Sequence, residues 1–183
     1  MSTKGPSSRG FRLPQTIPTL LDTKTIEKIK ESDTTHERLI ITTDGSYFRE
    51  QHISTGGIII EDTRGNEIIR GKVILDDPVT STQTEAATIL EALKLAEAYE
   101  ATYILIRNDS KRVIQKVIDD NNYIVNLPDG EAKPSAVKQR IYYMIKKTAE
   151  EIPEPRLKYT PNVNEADTIA GNALQREKDL TLE

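Results

Sequence analysis

The sequence predicts an α/β fold: a five-stranded mixed sheet, three antiparallel strands followed by two further strands, flanked by helices. Three observations carry this. Apolar, β-branched runs joined by hairpin-length links fill residues 38–75. The apolar spacing then changes from two to three and four. From there on, short strand-like runs alternate with helical ones.

The elements follow in order. "RLIITTDGSY", from Arg38, is a strand, "TGGIIIED" (Thr55 to Asp62) a second and "NEIIRGKVIL" (Asn66 to Leu75) a third. "TRGN" at 63–66 supplies a hairpin turn, so these three strands form an antiparallel meander. "TQTEAATILEALKLAEAYE" (Thr82 to Glu100) has helical composition and spacing. "TYILIRND" (Thr102 to Asp109) has the character of a fully buried strand, and "SKRVIQKVIDD" a helix in which Val113, Val117 and Ile114, Ile118 repeat at four. "NNYIVNLPDGEAKP" is a loop, marked by Asn, Pro and Gly. "SAVKQRIYYMIKKTAEE" is a helix ended by "IPEP", "RLKYT" a last strand and "NEADTIAGNALQREK" the closing helix.

This order divides the chain into an N-terminal extension at 1–36, one domain at 37–178 and a short tail at 179–183. The extension is rich in proline and small polar residues at first, and "LLDTKTIEKIKESD" within it has the pattern of a short helix.

Composition narrows the chemistry. The 183 residues are 36% hydrophobic and 30% charged, with no apolar run able to span a bilayer and no signal-like apolar core in "MSTKGPSSRG". An intracellular protein, cytoplasmic or nuclear, is expected. The absence of cysteine removes disulfides and thiolate metal sites, and His36 and His52 lie in no ligand cluster. A metal here would be a hard, oxygen-bound one. The net charge of −4 opposes general affinity for polyanions, but 132–148 carries Lys133, Lys138, Arg140, Lys146 and Lys147 and no acid.

Four acids stand where acids are costly. Asp44 ends an apolar run and precedes Gly45; Asp109 ends another. Glu85 shares a helix face with Ile89, Ala92 and Ala96, and Asp167 shares one with Ala170 and Leu174. Each also has a purely structural explanation. Asp109 could cap the next helix, Asp167 complement a helix dipole, Asp44 shape a turn, and Glu85 form a capping box with Thr82.

The four contexts, in this order, resemble the ribonuclease H type 1 family from about Arg38 to Arg176. "TDGSY" followed by "GG" is similar to the family's first-strand motif and second-strand glycines, and "TSTQTEAATILEALKLA" to its first helix. "NDSKRVIQKV" is similar to its fourth strand entering a helix, and "NEADTIAGNAL" to its last helix. The resemblance implies an endonuclease that cuts the RNA strand of an RNA–DNA hybrid. It implies that Asp44, Glu85, Asp109 and Asp167 hold two Mg²⁺ ions, with Mn²⁺ able to substitute, and that Asp44 touches both. It also implies substrate contacts around Gly45 and Ser46 and at Thr82 and Gln83, where the 2′-hydroxyl is sensed.

On the helix from Ser135, Lys138, Tyr142 and Lys146 form one stripe and Arg140, Tyr143 and Lys147 another. Lys138, Arg140 and Lys146 are therefore candidates for the DNA backbone. Two departures from the family stand out. The segment before this helix, "NNYIVNLPDGEAK", is not the basic protrusion that better-known members carry, and the loop "YTPNVN" (Tyr159 to Asn164) lacks the histidine that assists turnover in many of them. Two other functions compete: a different nuclease on the same fold acting on DNA, and a catalytically silent connector or hybrid-binding module. A free-standing enzyme and a piece of a larger reverse transcriptase polyprotein are both compatible with the sequence.

Overall fold

A computed structural model of the chain describes residues 37–75, 78, 80–119 and 136–181, without the side chains of 118, 119 and 136–139. In chain order the elements are β1 (Arg38–Phe48), β2 (Ile53–Asp62), β3 (Glu67–Leu75), α1 (Ser81–Ala98), β4 (Tyr103–Asn108), α2 (Lys111–Asp119), α3 (Ala136–Glu150), β5 (Glu154–Tyr159) and α4 (Asn164–Thr181). The helix expected within 1–36, the loop at 121–134 and the end of the tail lie outside the described residues.

The strands form one sheet in the order β3-β2-β1-β4-β5. β1 is central: it runs antiparallel to β2 and parallel to β4, which in turn runs parallel to β5. The two hairpins follow from short polar links. At the β2–β3 turn the Asp62 N–H donates to the Asn66 carbonyl, and Gly65 takes φ +84, a conformation glycine enters freely. The parallel pairs need crossovers, which the helices supply.

Alternation along β2 shows how the layers form. Ile58 and Ile60 point to one face and pack with Leu39, Ile41, Ile104 and Ile106, against Ile89, Leu90 and Leu93 of α1 and Ile141 and Ile145 of α3. Ile59 points to the other face and packs with Val163 and Ala166 at the start of α4. The run "GGIII" is apolar throughout because helices cover both of its faces.

Two boundaries differ from expectation for identifiable reasons. α1 starts at Ser81 with Thr80 as its N-cap: the Thr80 Oγ1 accepts the Gln83 N–H at 3.1 Å. α4 continues through Thr181, past the expected tail start, because its last turns rest on the β1–β2 hairpin. There Lys178 Nζ lies 3.9 Å from the Phe48 ring centre and Thr181 Oγ1 donates to Gln51 Oε1 at 2.7 Å.

Candidate active site

The parallel register Thr42↔Arg107 brings Asp44 and Asp109, each two residues further on, alongside one another. Glu85, in the second turn of α1, meets them from the helical layer. Asp44, Glu85 and Asp109 each offer a carboxylate oxygen within 4.8 Å of the others. Asp167, in the first turn of α4, arrives from the opposite face and comes close enough to Asp44 to raise its carboxyl. The sequence placed Asp167 on an inward face; in the structure it is exposed, and its partner Ala170 takes the buried position.

The acids disturb one another strongly. Burial, and then repulsion from Glu85 and Asp109, pushes the Asp44 carboxyl up to about 9. Burial also raises Glu85, to about 7, against the opposing pull of hydrogen bonds from Asn108 and Gly45. Among the described residues, no ion pair involves any of the four acids. A group of oxygen donors that carries unrelieved negative charge fits a hard divalent cation.

The structural explanations fare differently. Asp109 is not the cap of α2. Ser110 takes that place: its Oγ accepts the Val113 N–H at 3.4 Å and its carbonyl the Ile114 N–H at 3.0 Å. Glu85 forms no capping box with Thr82, because Thr80 caps α1, and Glu85 Oε2 instead accepts the Gly45 N–H at 3.1 Å. Asp44 is no turn residue either: β1 continues to Phe48, and Asp44 pairs with Gly57 of β2. Asp167 keeps its place near a helix N-terminus, where a negative charge is favoured.

Of the residues expected to meet a substrate, Gly45, Ser46 and Thr82 are partly exposed near the acids, whereas Gln83 is buried. A Cβ on Gly45 would lie 3.0 Å from the Glu85 nitrogen and 3.1 Å from Thr84 atoms, so glycine is what lets β1 approach α1. α3 packs against α1, on the sheet face that Glu85 occupies. Arg140 and Lys146 are partly exposed on it, and the Lys138 side chain lies outside the described residues. The stripe of Lys138, Tyr142 and Lys146 does not survive as a surface. Tyr142 is buried between helices with Lys116 Nζ 4.9 Å from its ring centre, while Tyr143 is the exposed tyrosine. A four-residue spacing could not distinguish these two, since both flank the apolar side of the helix.

Sequence reasoning missed Thr43 and Asn108, both fully buried polar residues beside the acids. The available signal was a polar residue directly before the acid in each strand, "TD" and "ND".

Strand order, the placement of helices and the acid group define a ribonuclease H-like fold. Residues 42–129 match the model of a family described as reverse transcriptase-like. No curated protein sequence matches the chain at a significant level. Among solved structures, the ribonuclease H1 of the halophilic archaeon Halobacterium salinarum superposes with a TM-score of 0.62 at 18% identity, over 76% of this chain and 98% of that one. A ribonuclease H1 isolated from compost by a metagenomic approach, solved with an RNA/DNA hybrid, gives 0.60 at 16% identity over 76% of this chain and 98% of that one. The foamy viral protease–reverse transcriptase bound to an RNA/DNA hybrid gives 0.61 at 16% identity, over 93% of this chain and 23% of that one. The resemblance read from the sequence is thus borne out in the family model and the fold. Among the described residues, no helix is long and apolar enough to cross a membrane.

Proposed function

We propose that the chain is an endoribonuclease that hydrolyses the RNA strand of RNA–DNA hybrids. The observation that supports this reading best is the meeting of Asp44 on β1, Glu85 on α1 and Asp109 just after β4 within 4.8 Å, without an ion-pair partner among the described residues, with Asp167 close to Asp44. β1 holds Asp44, which is buried, and Asp109 is exposed directly after β4, beside the fully buried Asn108. The four carboxylates would hold two Mg²⁺ ions, or Mn²⁺ in their place. Such a pair supplies an activated water and stabilisation of the leaving oxygen in a phosphodiester displacement.

In this reading the chain's own groups bind and orient the hybrid. Gly45 and Ser46 present backbone and a small side chain to the RNA strand next to the acids. Thr82 and Gln83 stand at the start of α1 in the same region; Thr82 is partly exposed, whereas Gln83 is buried and would need a local shift to reach the substrate. Lys138, Arg140 and Lys146 on α3 approach the DNA strand's phosphates, which adds affinity that falls with salt.

The test uses labelled RNA–DNA hybrid, duplex RNA and duplex DNA, each in Mg²⁺ and in chelator, alongside Asp109→Asn. Metal-dependent cutting of only the hybrid's RNA, lost in the variant, is the expected result. Cutting of duplex DNA instead would move the chain to another nuclease class. A hybrid that is bound and left intact in both Mg²⁺ and Mn²⁺ would make it a silent binding module.

A further inference from the structure

One buried side chain links the two strands and the helix that carry the carboxylate group. Asn108 is fully buried and immediately precedes Asp109. Its Nδ2 donates to Glu85 Oε2 at 2.8 Å, and to the carbonyl and Oγ1 of Thr43, both at 3.1 Å. Thr43 immediately precedes Asp44 and is itself fixed, since its Oγ1 donates to the Arg107 carbonyl at 3.4 Å. On its other side, Asn108 Oδ1 accepts the Ser110 N–H at 2.8 Å. That contact settles which end of the amide faces Glu85: the acceptor is taken, so the donor points to the carboxylate.

We propose that Asn108 is a positioning residue that fixes Glu85 by its Oε2 oxygen and leaves Oε1 to the divalent ion, a proposal that rests on the metal-binding reading above. The Asn108 amide and the Gly45 N–H both donate to Oε2, and the Asp44 carboxyl acts on Glu85 as well. A carboxylate gripped at one oxygen cannot rotate both oxygens toward or away from its neighbours. No water competes for the Asn108 amide at full burial, and the same amide ties β4 to β1. Donors behind a ligand carboxylate set its orientation, and their loss typically weakens metal affinity about 10–100-fold.

The test is the Mn²⁺ concentration at half of the metal-induced rise in melting temperature, measured on the full chain. Asn108→Val and Asn108→Thr have the same shape and differ only in a hydroxyl donor. Asn108→Val is expected to raise the midpoint by about tenfold or more, and Asn108→Thr to hold it within about threefold of the parent. Asn108→Ala gives the same comparison if the valine variant does not fold. Thr43→Val, which removes a partner of Asn108 but not the bond to Glu85, is expected to leave the midpoint unchanged. Equal midpoints for the parent, valine and alanine variants, with melting temperatures lowered equally in chelator and in Mn²⁺, would reduce Asn108 to a structural tether and overturn the proposal. A parent that gains no stability from Mn²⁺ would overturn the metal-binding reading, and this proposal with it.

Discussion

Gly57 lies directly against the Ala166 carbonyl: a Cβ built on Gly57 would collide with that oxygen and come within 3.0 Å of the Ala170 nitrogen. Gly57 also pairs with Asp44 across the β1–β2 ladder, and Ala166 is next to Asp167. The missing side chain on Gly57 therefore sets how near α4 comes to β1, and with it the separation of Asp44 from Asp167. Gly57→Ala must push α4 away. We expect a loss of about 1–3 kcal/mol in urea unfolding, as for other overpacked sites. Because the displaced helix carries Asp167, Mn²⁺ should also stabilise this variant less than the parent.

The titration of Asp44 gives a pH dependence with a definite sign. Its folded value is about 9, against about 3.9 in an unfolded chain. Between these two values the folded state binds more protons than the unfolded one. Stability of the metal-free protein should therefore fall as pH rises through that window. Glu85, raised to about 7, acts in the same direction over a narrower range. A divalent cation displaces those protons, so its stabilising effect should grow with pH. Melting curves in chelator and in Mg²⁺ at about pH 5 and about pH 8.5 check this; a gain that is equal at the two values would contradict it.

The fold was largely legible because its signals are local. Hairpin links, the change in apolar spacing and the glycine pair "GG" each act over a few residues, and the observed elements follow them closely. The choice of parallel or antiparallel neighbours for β4 and β5 is a long-range property, and the sequence left it open; the structure makes both parallel. At the site, acids at strand ends stood out because an apolar run makes a charge conspicuous. Asn108 and Thr43 did not, since an uncharged polar residue at a strand end is ordinary, and its burial depends on three elements meeting. Tyr142 and Asp167 were placed on the wrong side for a related reason. A helix face is assigned by spacing, but its burial is decided by what packs on it: α2 lies against Tyr142, whereas Asp167 stays exposed at the start of α4.

Replacing Asp44 by Asn separates stability from metal binding. Burial opposes the Asp44 charge, and three neighbouring acids repel it. Asn keeps the shape and removes the charge, so in chelator at about pH 8.5 the variant should melt at a higher temperature than the parent. It should at the same time lose most of the stabilisation by Mn²⁺ and the cutting of a hybrid. A variant that is less stable than the parent in chelator would show that Asp44 is held by contacts worth more than its repulsion.

Lys72 presents the opposite charge with the same difficulty. It sits on β3 opposite Gly57, in the row that begins with Asp44, and is 5% exposed. Its Nζ is buried with no hydrogen-bond partner among the described residues. Burial holds its amine below the usual lysine range, and Arg176 on α4 adds to this, while Glu177 partly offsets it. A base whose folded value is depressed binds fewer protons in the folded state, so its contribution to stability improves as pH rises. The lysine stem packs between β3 and α4, and methionine has a similar length without the charge. We expect Lys72→Met to raise stability in urea by about 1 kcal/mol at neutral pH, since it removes an unpaired buried polar group. The gain should be larger at low pH than at high pH. It should also leave the Mn²⁺ midpoint unchanged, because Lys72 stands beyond Gly57 from the acids and holds none of them. A loss of stability would mean that the amine finds a partner, Glu177 being the acid that pulls its titration upward.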